Sequence, residues 1–265
     1  MPAMTATPPI DIRMMNSLAT LLFAIALLSF AVVGVRWFVR LPAFAIQSIH
    51  VDGETQHNTP ASVRKRALPR IEGNVFTLDL AQAKRVFETM PWVRRAIVRR
   101  VWPDQIAVTL EEHRAAAYWH EDARDDELVN HFGEVFQANL ADVDDEGLPM
   151  LQGPAGTAAH VLQMHGRLSG VFSKLAVQVE SLTLTNRGNW RVELDSGAKL
   201  ELGAGSDDEV AARATAFVET LPQVTARYQA PLEAADLRHR DGYAVRLKGA
   251  TTHPDALAKP APGTR

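Results

Sequence analysis

Few residues in this sequence have the type and spacing that chemistry requires, and the clearest candidate is a glycine-containing turn. The segment Leu202-Gly-Ala-Gly205 precedes a predicted helix, which is where a phosphate-binding loop would lie. It lacks a third glycine and a lysine, and the acidic residues that follow, Asp207, Asp208 and Glu209, would repel a phosphate group. We therefore interpret this segment as a strand-to-helix turn.

The sequence also offers little to a metal ion or to a covalent mechanism. His160 and His165 are five residues apart, on different sides of a helix, and the acidic segments 121–127 and 142–146 lack the spacing of a calcium loop. The chain has no cysteine, which excludes disulfides, thiolate metal sites and cysteine nucleophiles. We predict a protein that is not an enzyme, with no catalytic residues, cofactor or metal. An active site assembled from distant loops stays open.

The composition is that of a folded protein, and the length is enough for more than one domain. Of 265 residues, 46% are hydrophobic and 22% are charged, and the net charge is −3. Nucleic-acid-binding domains are usually strongly basic, so we expect no nucleic-acid partner. We also expect no small-molecule substrate.

Residues 18–35 form an apolar run, LATLLFAIALLSFAVVGV, that is long enough for a membrane-spanning helix. At about 1.5 Å per residue it nearly crosses a hydrocarbon core of about 30 Å, and a few more residues complete the span. Trp37 would lie at the interface, and Arg36 and Arg40 would reach the headgroups. A cleaved signal peptide would have a shorter apolar core and a small-x-small cleavage site, so we predict one transmembrane helix over residues 17–39.

Residues 43–111 carry the pattern of a small unit with the element order β-α-α-β-β. Two helices can cover one face of a three-stranded sheet in that order. The turn, cap and stop signals that separate these elements are, in chain order, Asp52-Gly53, Thr59-Pro60, Asp79-Leu-Ala-Gln82, Pro91 and Pro103-Asp104.

Residues 112–250 predict a mostly β domain with two covering helices. Short β-rich segments alternate with turn residues, and one helix begins at the capping box Ser206-Asp-Asp-Glu209 and is expected to end at Pro222. The Ala- and Pro-rich residues 251–265 predict a disordered tail.

Several ordered segments resemble the FtsQ/DivIB family of bacterial division proteins. They are Phe76-Thr-Leu-Asp79, Pro91-Trp-Val93, Ala96-Ile-Val-Arg-Arg100, Trp102-Pro103, Leu128-Val129, Gly133-Glu-Val-Phe136 and Leu148-Pro-Met-Leu-Gln-Gly-Pro154. The resemblance implies an α+β protein with a cytoplasmic segment at 1–16, one transmembrane helix, a POTRA domain at 43–111 and a β domain at 112–250.

The resemblance, rather than charge, orients the transmembrane helix. Arg13, partly offset by Asp11, precedes the span, whereas Arg36 and Arg40 follow it, so the positive-inside rule does not favour a cytoplasmic N-terminus. The family implies the opposite: a single-pass protein of the cell inner membrane, with its C-terminal part in the periplasm, at the division septum.

The last predicted strand, within residues 236–247, would lie at the edge of a sheet. Unpaired N–H and C=O groups at an edge can template a partner strand, although the residues alone favour a silent edge. The resemblance implies instead that this strand docks FtsB, which acts with FtsL. It assigns the contact to Arg238, His239, Asp241, Gly242, Tyr243, Ala244, Val245, Arg246 and Leu247, with Arg187 as a second cation.

This chain departs from the family pattern within that strand. Arg246-Leu247 stands where the pattern has Gly-Trp, and His239 stands where it has Tyr. The aromatic anchor is therefore altered, whereas backbone pairing would survive the change. Arg238 is expected to pair with an acidic residue of the partner.

We therefore interpret the chain as a scaffold that binds FtsB and FtsL and helps control septal peptidoglycan synthesis. Two alternatives stay open. Another POTRA-containing envelope protein, acting in outer-membrane assembly or secretion, would need a long series of barrel strands of about 10 residues. A membrane-anchored cell-wall enzyme would need a nucleophile or a metal cluster. A weaker hypothesis gives residues 97–102 a surface that recruits the protein to the division site.

Overall fold

The computed structural model describes residues 10–41, 44–53, 56–71, 73–121, 124–143, 146–239 and 242–249. They form two compact units that divide between Glu112 and His113. The predicted tail at 251–265 and the first nine residues of the predicted N-terminal segment lie outside the described residues.

Helix α1, Ile10–Val39, contains the whole of the apolar run. Among the described residues it is the one helix that is long and apolar enough to cross a membrane, from Met14 to Val39, and none of its most apolar stretch is buried. An apolar helix with no protein packed around it is suited to lipid contact. The helix begins at Ile10, so residues 10–16 are helical as well.

The first unit has a three-stranded sheet and two helices, in the predicted order β-α-α-β-β. The elements are β1 (Ser48–Gly53), α2 (Pro60–Ala67), α3 (Leu80–Glu88), β2 (Val93–Val101) and β3 (Gln105–Glu112). Strand β3 lies in the centre, parallel to β1 and antiparallel to β2. The helices and the sheet bury one apolar core, which includes Ile49, Val63, Phe87, Val108 and Leu110.

Local signals in the sequence explain where these elements begin and end. The side chains of Thr59 and Asp79 accept backbone N–H groups from the first turns of α2 and α3, as N-caps do. Gly53 ends β1 with a φ of 103°, and a Cβ there would lie 2.2 Å from the carbonyl oxygen of Leu110. Glycine alone fits that position without strain.

The second unit has one nine-stranded sheet in the described residues, in the spatial order β12-β11-β10-β9-β8-β7-β4-β5-β6. Its strands are β4 (Ala115–Glu121), β5 (Arg124–Asn130), β6 (Val135–Gln137), β7 (Met150–Gln152), β8 (Val179–Leu184), β9 (Trp190–Leu194), β10 (Lys199–Gly203), β11 (Leu232–Asp236) and β12 (Ala244–Leu247). Helices α4 (Ala158–Phe172) and α5 (Asp207–Tyr228) cover one face. The fold class is α+β, as the sequence predicts.

The core of the second unit lies between this sheet and its two helices. Trp119 and Trp190 on the strands pack in one cluster with Met164, Phe172 and Phe217 on the helices. Strand β7 was not expected from the sequence, because it is only three residues long; it joins β4 and β8 through two parallel pairings.

The prediction that α5 ends at Pro222 is wrong, since the helix continues to Tyr228. Proline removes one backbone donor from a helix and usually ends it. Here the proline is exposed and Leu221 beside it is buried, so the ring meets solvent while the helix keeps its core contact. The hydroxyl of Thr225 donates to the carbonyl oxygens of Leu221 and Pro222 at 3.2 Å, in the turn that follows the proline.

A buried carboxylate joins separate segments at one end of the first unit. Glu112, 5% exposed, accepts the backbone N–H groups of His57 at 3.0 Å and Asn58 at 2.9 Å. It also accepts Nδ2–H of Asn58 at 3.0 Å, and the same nitrogen donates to the carbonyl of Pro91 at 2.8 Å. The His57 ring stacks on Trp92 with the ring centroids 3.9 Å apart.

Replacing this carboxylate should selectively destabilise the first unit. Glu112→Ala leaves buried donors without an acceptor, and we expect a loss of about 2–4 kcal/mol in the free energy of opening. The control is Glu111→Ala, which removes a partly exposed ion pair with Arg94 and should cost less than about 1 kcal/mol. Amide hydrogen exchange of the β2 and β3 peptides measures the free energy of opening in both variants. Equal protection in the two variants would rule out a special stabilising role for the Glu112 carboxylate.

Candidate partner-binding edge

Strand β12 lies at one edge of the nine-stranded sheet, and its inner side pairs antiparallel with β11. The paired positions are Asp236 with Ala244, Ala235 with Val245, Ala234 with Arg246, and Leu232 with Leu247. The register shifts between Leu232 and Ala234, so β11 carries a bulge there. Within the described part of the chain no strand lies beyond β12, and its outer side is therefore a sheet edge.

One hydrogen bond fixes the direction of the backbone groups on this strand. The N–H of Lys248, directly after β12, donates to the carbonyl of Pro231, directly before β11, at 2.9 Å. Successive peptide groups along a strand point to opposite sides, so every second residue of β12 faces β11. Val245 and Leu247 then direct their N–H and C=O groups away from the sheet. These are the groups that an added strand would pair with.

The side chains of β12 alternate between the two faces of the sheet. Val245 packs against the core on the helix-covered face and Leu247 is buried. Ala244 and Arg246 are exposed. The edge is therefore held to the domain by apolar packing, while its backbone stays accessible from the side.

Tyr243 fixes the start of this strand to helix α5. Its ring meets Phe217 edge-to-face, with the centroids 5.0 Å apart, and its hydroxyl lies 2.6 Å from Oγ1 of Thr220. Such a contact combines aromatic packing with a hydrogen bond for the polar end of the ring. Tyr243 thus positions the edge strand and is half-buried itself.

Arg238 is already engaged within the chain. Its Nε lies 2.9 and 3.1 Å from the two carboxylate oxygens of Asp236, and its Nη2 lies 2.5 Å from Oδ2. Hydrogen bonds from the Arg238 side chain lower the pKa of Asp236 to about 2. The same hydrogen bonds raise the pKa of Arg238. The predicted partner-binding cation is therefore half of an exposed intramolecular ion pair.

The glycine-containing turn Leu202-Gly-Ala-Gly205 lies next to the side chain of Arg238. A Cβ on Gly203 would be 2.9 Å from Cγ of Arg238, and Gly203 has a φ of 81°, so glycine makes room for the arginine stem. Ser206 and Glu209 form a capping box at the start of α5. The segment is a strand-to-helix turn.

The first two of the three acidic residues at the start of α5, and the two histidines of α4, have partners within the fold. Oδ1 of Asp207 lies 2.8 Å from Nε2 of His160, and Oδ1 of Asp208 lies 2.5 Å from Nη2 of Arg167. His165 lies with Nε2 3.2 Å from the carbonyl oxygen of Val179, and burial lowers its pKa. No group of three or more His, Asp and Glu side chains in the described residues is placed to hold a metal ion.

Of the remaining predicted residues near this edge, those that the structure describes make fewer contacts with the rest of the domain. His239 and Gly242 are exposed between β11 and β12, and Asp241 lies outside the described residues. Arg246 reaches the carboxylate of Glu233 at 3.9 Å. The β11–β12 connection and strand β12 thus bring most of the predicted partner-binding residues to one edge of the sheet.

Arg187 lies apart from that edge. It is exposed in the turn before β9, whose first residue, Trp190, pairs with Gly203. The turn is therefore at the same end of the sheet as Arg238, but three strand spacings of about 4.8 Å separate β9 from β12. Only a partner that extends across this end of the sheet would contact both Arg187 and Arg238.

Sequence reasoning did not identify the residues that hold this edge in place. Asp236 begins the predicted edge segment 236–247 but is given no role there, although acidic and basic residues two apart in an extended segment share a face. The contacts of Phe217 and Thr220 with Tyr243 join segments that are distant in the chain, so no local signal could have found them.

Comparison with known proteins identifies the family. Residues 44–113 match the family model of the POTRA domain, FtsQ-type, and residues 117–238 match that of the cell division protein FtsQ/DivIB, C-terminal. The second match ends just before β12. The POTRA type and the C-terminal match do not favour an outer-membrane assembly or secretion protein.

Curated relatives cover nearly the whole chain. The cell division protein FtsQ of Thiomonas arsenitoxydans is 40% identical over 242 residues, 91% of this chain and 89% of the relative. FtsQ of Burkholderia pseudomallei is 40% identical over 90% of this chain and 94% of the relative. FtsQ of Bordetella pertussis is 35% identical over 89% of this chain and 92% of the relative. With both units matched and an apolar helix before them that fits a single-pass membrane protein, this chain belongs to the FtsQ/DivIB family of cell division proteins.

Proposed function

We propose that this protein is a bitopic inner-membrane scaffold of the divisome that docks FtsB, together with FtsL, on strand β12. In this role it helps control septal peptidoglycan synthesis and turns over no substrate. The observation that carries the proposal is an accessible sheet edge, with outward backbone groups at Val245 and Leu247, in a member of a cell division family.

Docking by strand addition suits what the edge offers. Each outward residue supplies one donor and one acceptor, so a partner strand gains affinity from main-chain hydrogen bonds, and its side chains then supply specificity. The edge is also ordered before binding, because Tyr243 and Leu247 hold it to the domain. An ordered edge lowers the conformational entropy that binding must remove.

Arg238 is placed to add electrostatic specificity at one end of this edge. A guanidinium has five N–H donors, and Asp236 occupies only the side that carries Nε and one Nη2 hydrogen. The remaining N–H groups can donate to a carboxylate of the partner. Asp236 therefore orients Arg238 for an acidic partner residue, and the altered aromatic positions at Arg246 and Leu247 leave more of the binding to backbone and charge.

The membrane orientation belongs to the same proposal. Helix α1 is the inner-membrane anchor, its N-terminal end lies in the cytoplasm, and the two units act in the periplasm at the septum. The family relationship and the single apolar helix support this arrangement.

Blocking the outward backbone groups should abolish docking without unfolding the domain. Val245→Pro removes an outward donor and places a ring where the added strand would lie, but it breaks no bond to β11. We expect recovery of FtsB and FtsL to fall at least about 10-fold in pull-downs of the full-length protein from its native membrane. A lost hydrogen bond with a steric clash is worth more than about 1.4 kcal/mol.

The matched control for this variant is Val245→Ala, which removes the same side-chain packing and keeps the N–H group. Recovery of both partners should stay within about threefold of the wild type, because the backbone donor remains. Thermal melting checks that each variant is folded. Normal recovery of FtsB and FtsL by a folded Val245→Pro protein would rule out docking on β12.

The Asp236–Arg238 pair predicts a specific titration. The depressed pKa means that the pair's contribution to stability is complete above about pH 3.9, the usual aspartate value, and is lost as the pH falls through about 2. Arg238→Ala should raise the pKa of Asp236 toward about 3.9 in a side-chain NMR titration. Arg246→Ala, which removes an ion pair to Glu233 instead, should leave it near 2. An ordinary pKa for Asp236 in the unmodified protein would contradict the pairing.

A further inference from the structure

Four aromatic rings form a cluster at the end of the first unit where the chain leaves helix α1. Phe44 lies in the centre and is 9% exposed, with Phe38 of α1 at 5.4 Å, Phe76 at 4.9 Å and Trp102 at 5.8 Å between ring centroids. Phe76 and Trp102 also contact each other at 5.4 Å. We call these four residues the aromatic base of the first unit.

The outer members of the aromatic base remain open to solvent. Trp102 is 63% exposed and Phe76 is 38% exposed. Both come from turns: Phe76 precedes α3, and Trp102 begins the connection from β2 to β3. Large aromatic side chains on turns at one end of a domain are unusual for a surface that faces only water.

The aromatic base is continuous with the last turn of the membrane helix. Phe38 belongs to α1, and Nδ2 of Asn74, two residues before Phe76, donates a hydrogen bond to the carbonyl of Val39 at the end of α1. The backbone N–H of Val75 donates to the carbonyl of Phe44 at 3.1 Å. These bonds tie the helix end to the base of the sheet domain.

The geometry places the aromatic base near the level of the lipid headgroups. If α1 spans the bilayer, then Trp37, Phe38 and Val39 lie at the membrane–water interface. The headgroup region on each side is roughly 5–7 Å thick. The ring-to-ring distances in the base, 4.9–5.8 Å, are of similar size. Tryptophan in particular is enriched at this interface because it has an apolar body and a polar N–H group.

Charges near the aromatic base are compatible with a headgroup layer. Arg36 and Arg40 flank the end of α1, and Arg100, whose guanidinium donates to the carbonyl of Leu78 at 2.7 Å, lies two residues before Trp102. Two described carboxylates lie close in sequence to Phe76 and Trp102: those of Asp79, which caps α3, and of Asp104, which is half-buried in the β2–β3 turn. Exposed arginines beside aromatic rings are typical of interfacial anchoring.

We propose that the aromatic base docks on the lipid headgroup surface of the membrane that α1 crosses. Phe76 and Trp102 insert into the interfacial layer beside Trp37. The sheet and helices of the first unit are therefore held at the membrane surface and do not move freely on a flexible linker after α1. The occupant of this surface is the bilayer itself, because the base is continuous with the helix that the bilayer surrounds.

The absence of cysteine from the sequence allows a clean distance measurement on the full-length protein. A fluorophore is attached to Gln105→Cys, at the start of β3 beside Trp102, or to Ala61→Cys, at the opposite end of the first unit. The protein is reconstituted in nanodiscs of phosphatidylethanolamine and phosphatidylglycerol that contain a headgroup-spin-labelled lipid. We expect at least about threefold stronger quenching at 105 than at 61, because the length of β3 separates the two sites by about 20 Å.

Removing the aromatic side chains tests whether they cause the proximity. Trp102→Ser, alone and with Phe76→Ser, should reduce the quenching at 105 by more than half. Phe132→Ser, an exposed aromatic residue of the other unit, is the matched control and should not change it. Amide hydrogen exchange of β3 confirms that the unit is folded. The single Trp102 variant removes a mostly exposed ring, so it spares the core.

Two results would overturn the proposal. Equal, weak quenching at 105 and 61 in the unmodified protein would show that the base is away from the lipid, and would leave it as a docking surface for another protein segment. Strong quenching that persists in the serine variants would show that the aromatic rings do not hold the unit at the membrane. Neither result depends on whether β12 binds FtsB.

Discussion

Backbone N–H and C=O groups need hydrogen-bond partners, and an open sheet leaves that need unmet along its two edges. In this protein the sheet of the second unit runs from β6 at one edge to β12 at the other. Helices α4 and α5 cover one of its faces, but in the described residues no element covers the outer side of β12. The outer side of β12 is therefore an ordered row of backbone groups that is available to a partner, and the side chains around it act mainly to keep that row in place.

The edge can serve as a template because its position is fixed from three directions. Tyr243 joins the start of β12 to α5, Leu247 is buried near its end, and antiparallel pairing with β11 holds its inner side. Arg238, which the family resemblance assigns to partner contact, is held by Asp236 and lies over Gly203. A preformed edge with an oriented cation needs little rearrangement on binding, which is the physical basis for the proposed docking role.

Much of this fold could be predicted from the sequence because its signals are local. The apolar run, the caps at Asp79 and Ser206 and the alternation in β3 each depend on a few neighbouring residues. The errors and omissions involve tertiary structure. Pro222 does not end α5, the three residues of β7 form a strand only between β4 and β8, and the contacts of Tyr243 with helix α5 join distant segments. The candidate edge came from family resemblance; the direction of its backbone groups required the pairing of Lys248 with Pro231.

Docking on β12 can be tested by residue-resolved amide hydrogen exchange of this strand, measured by NMR with and without the periplasmic part of FtsB. An edge strand in the free protein should show an alternating pattern of exchange. Amides of Ala244 and Arg246, which face β11, are protected, whereas those of Val245 and Leu247 exchange quickly. Addition of FtsB should slow exchange at Val245 and Leu247 at least about 10-fold, because each gains a backbone acceptor. Unchanged exchange at those two amides in a complex that has formed would contradict docking by strand addition.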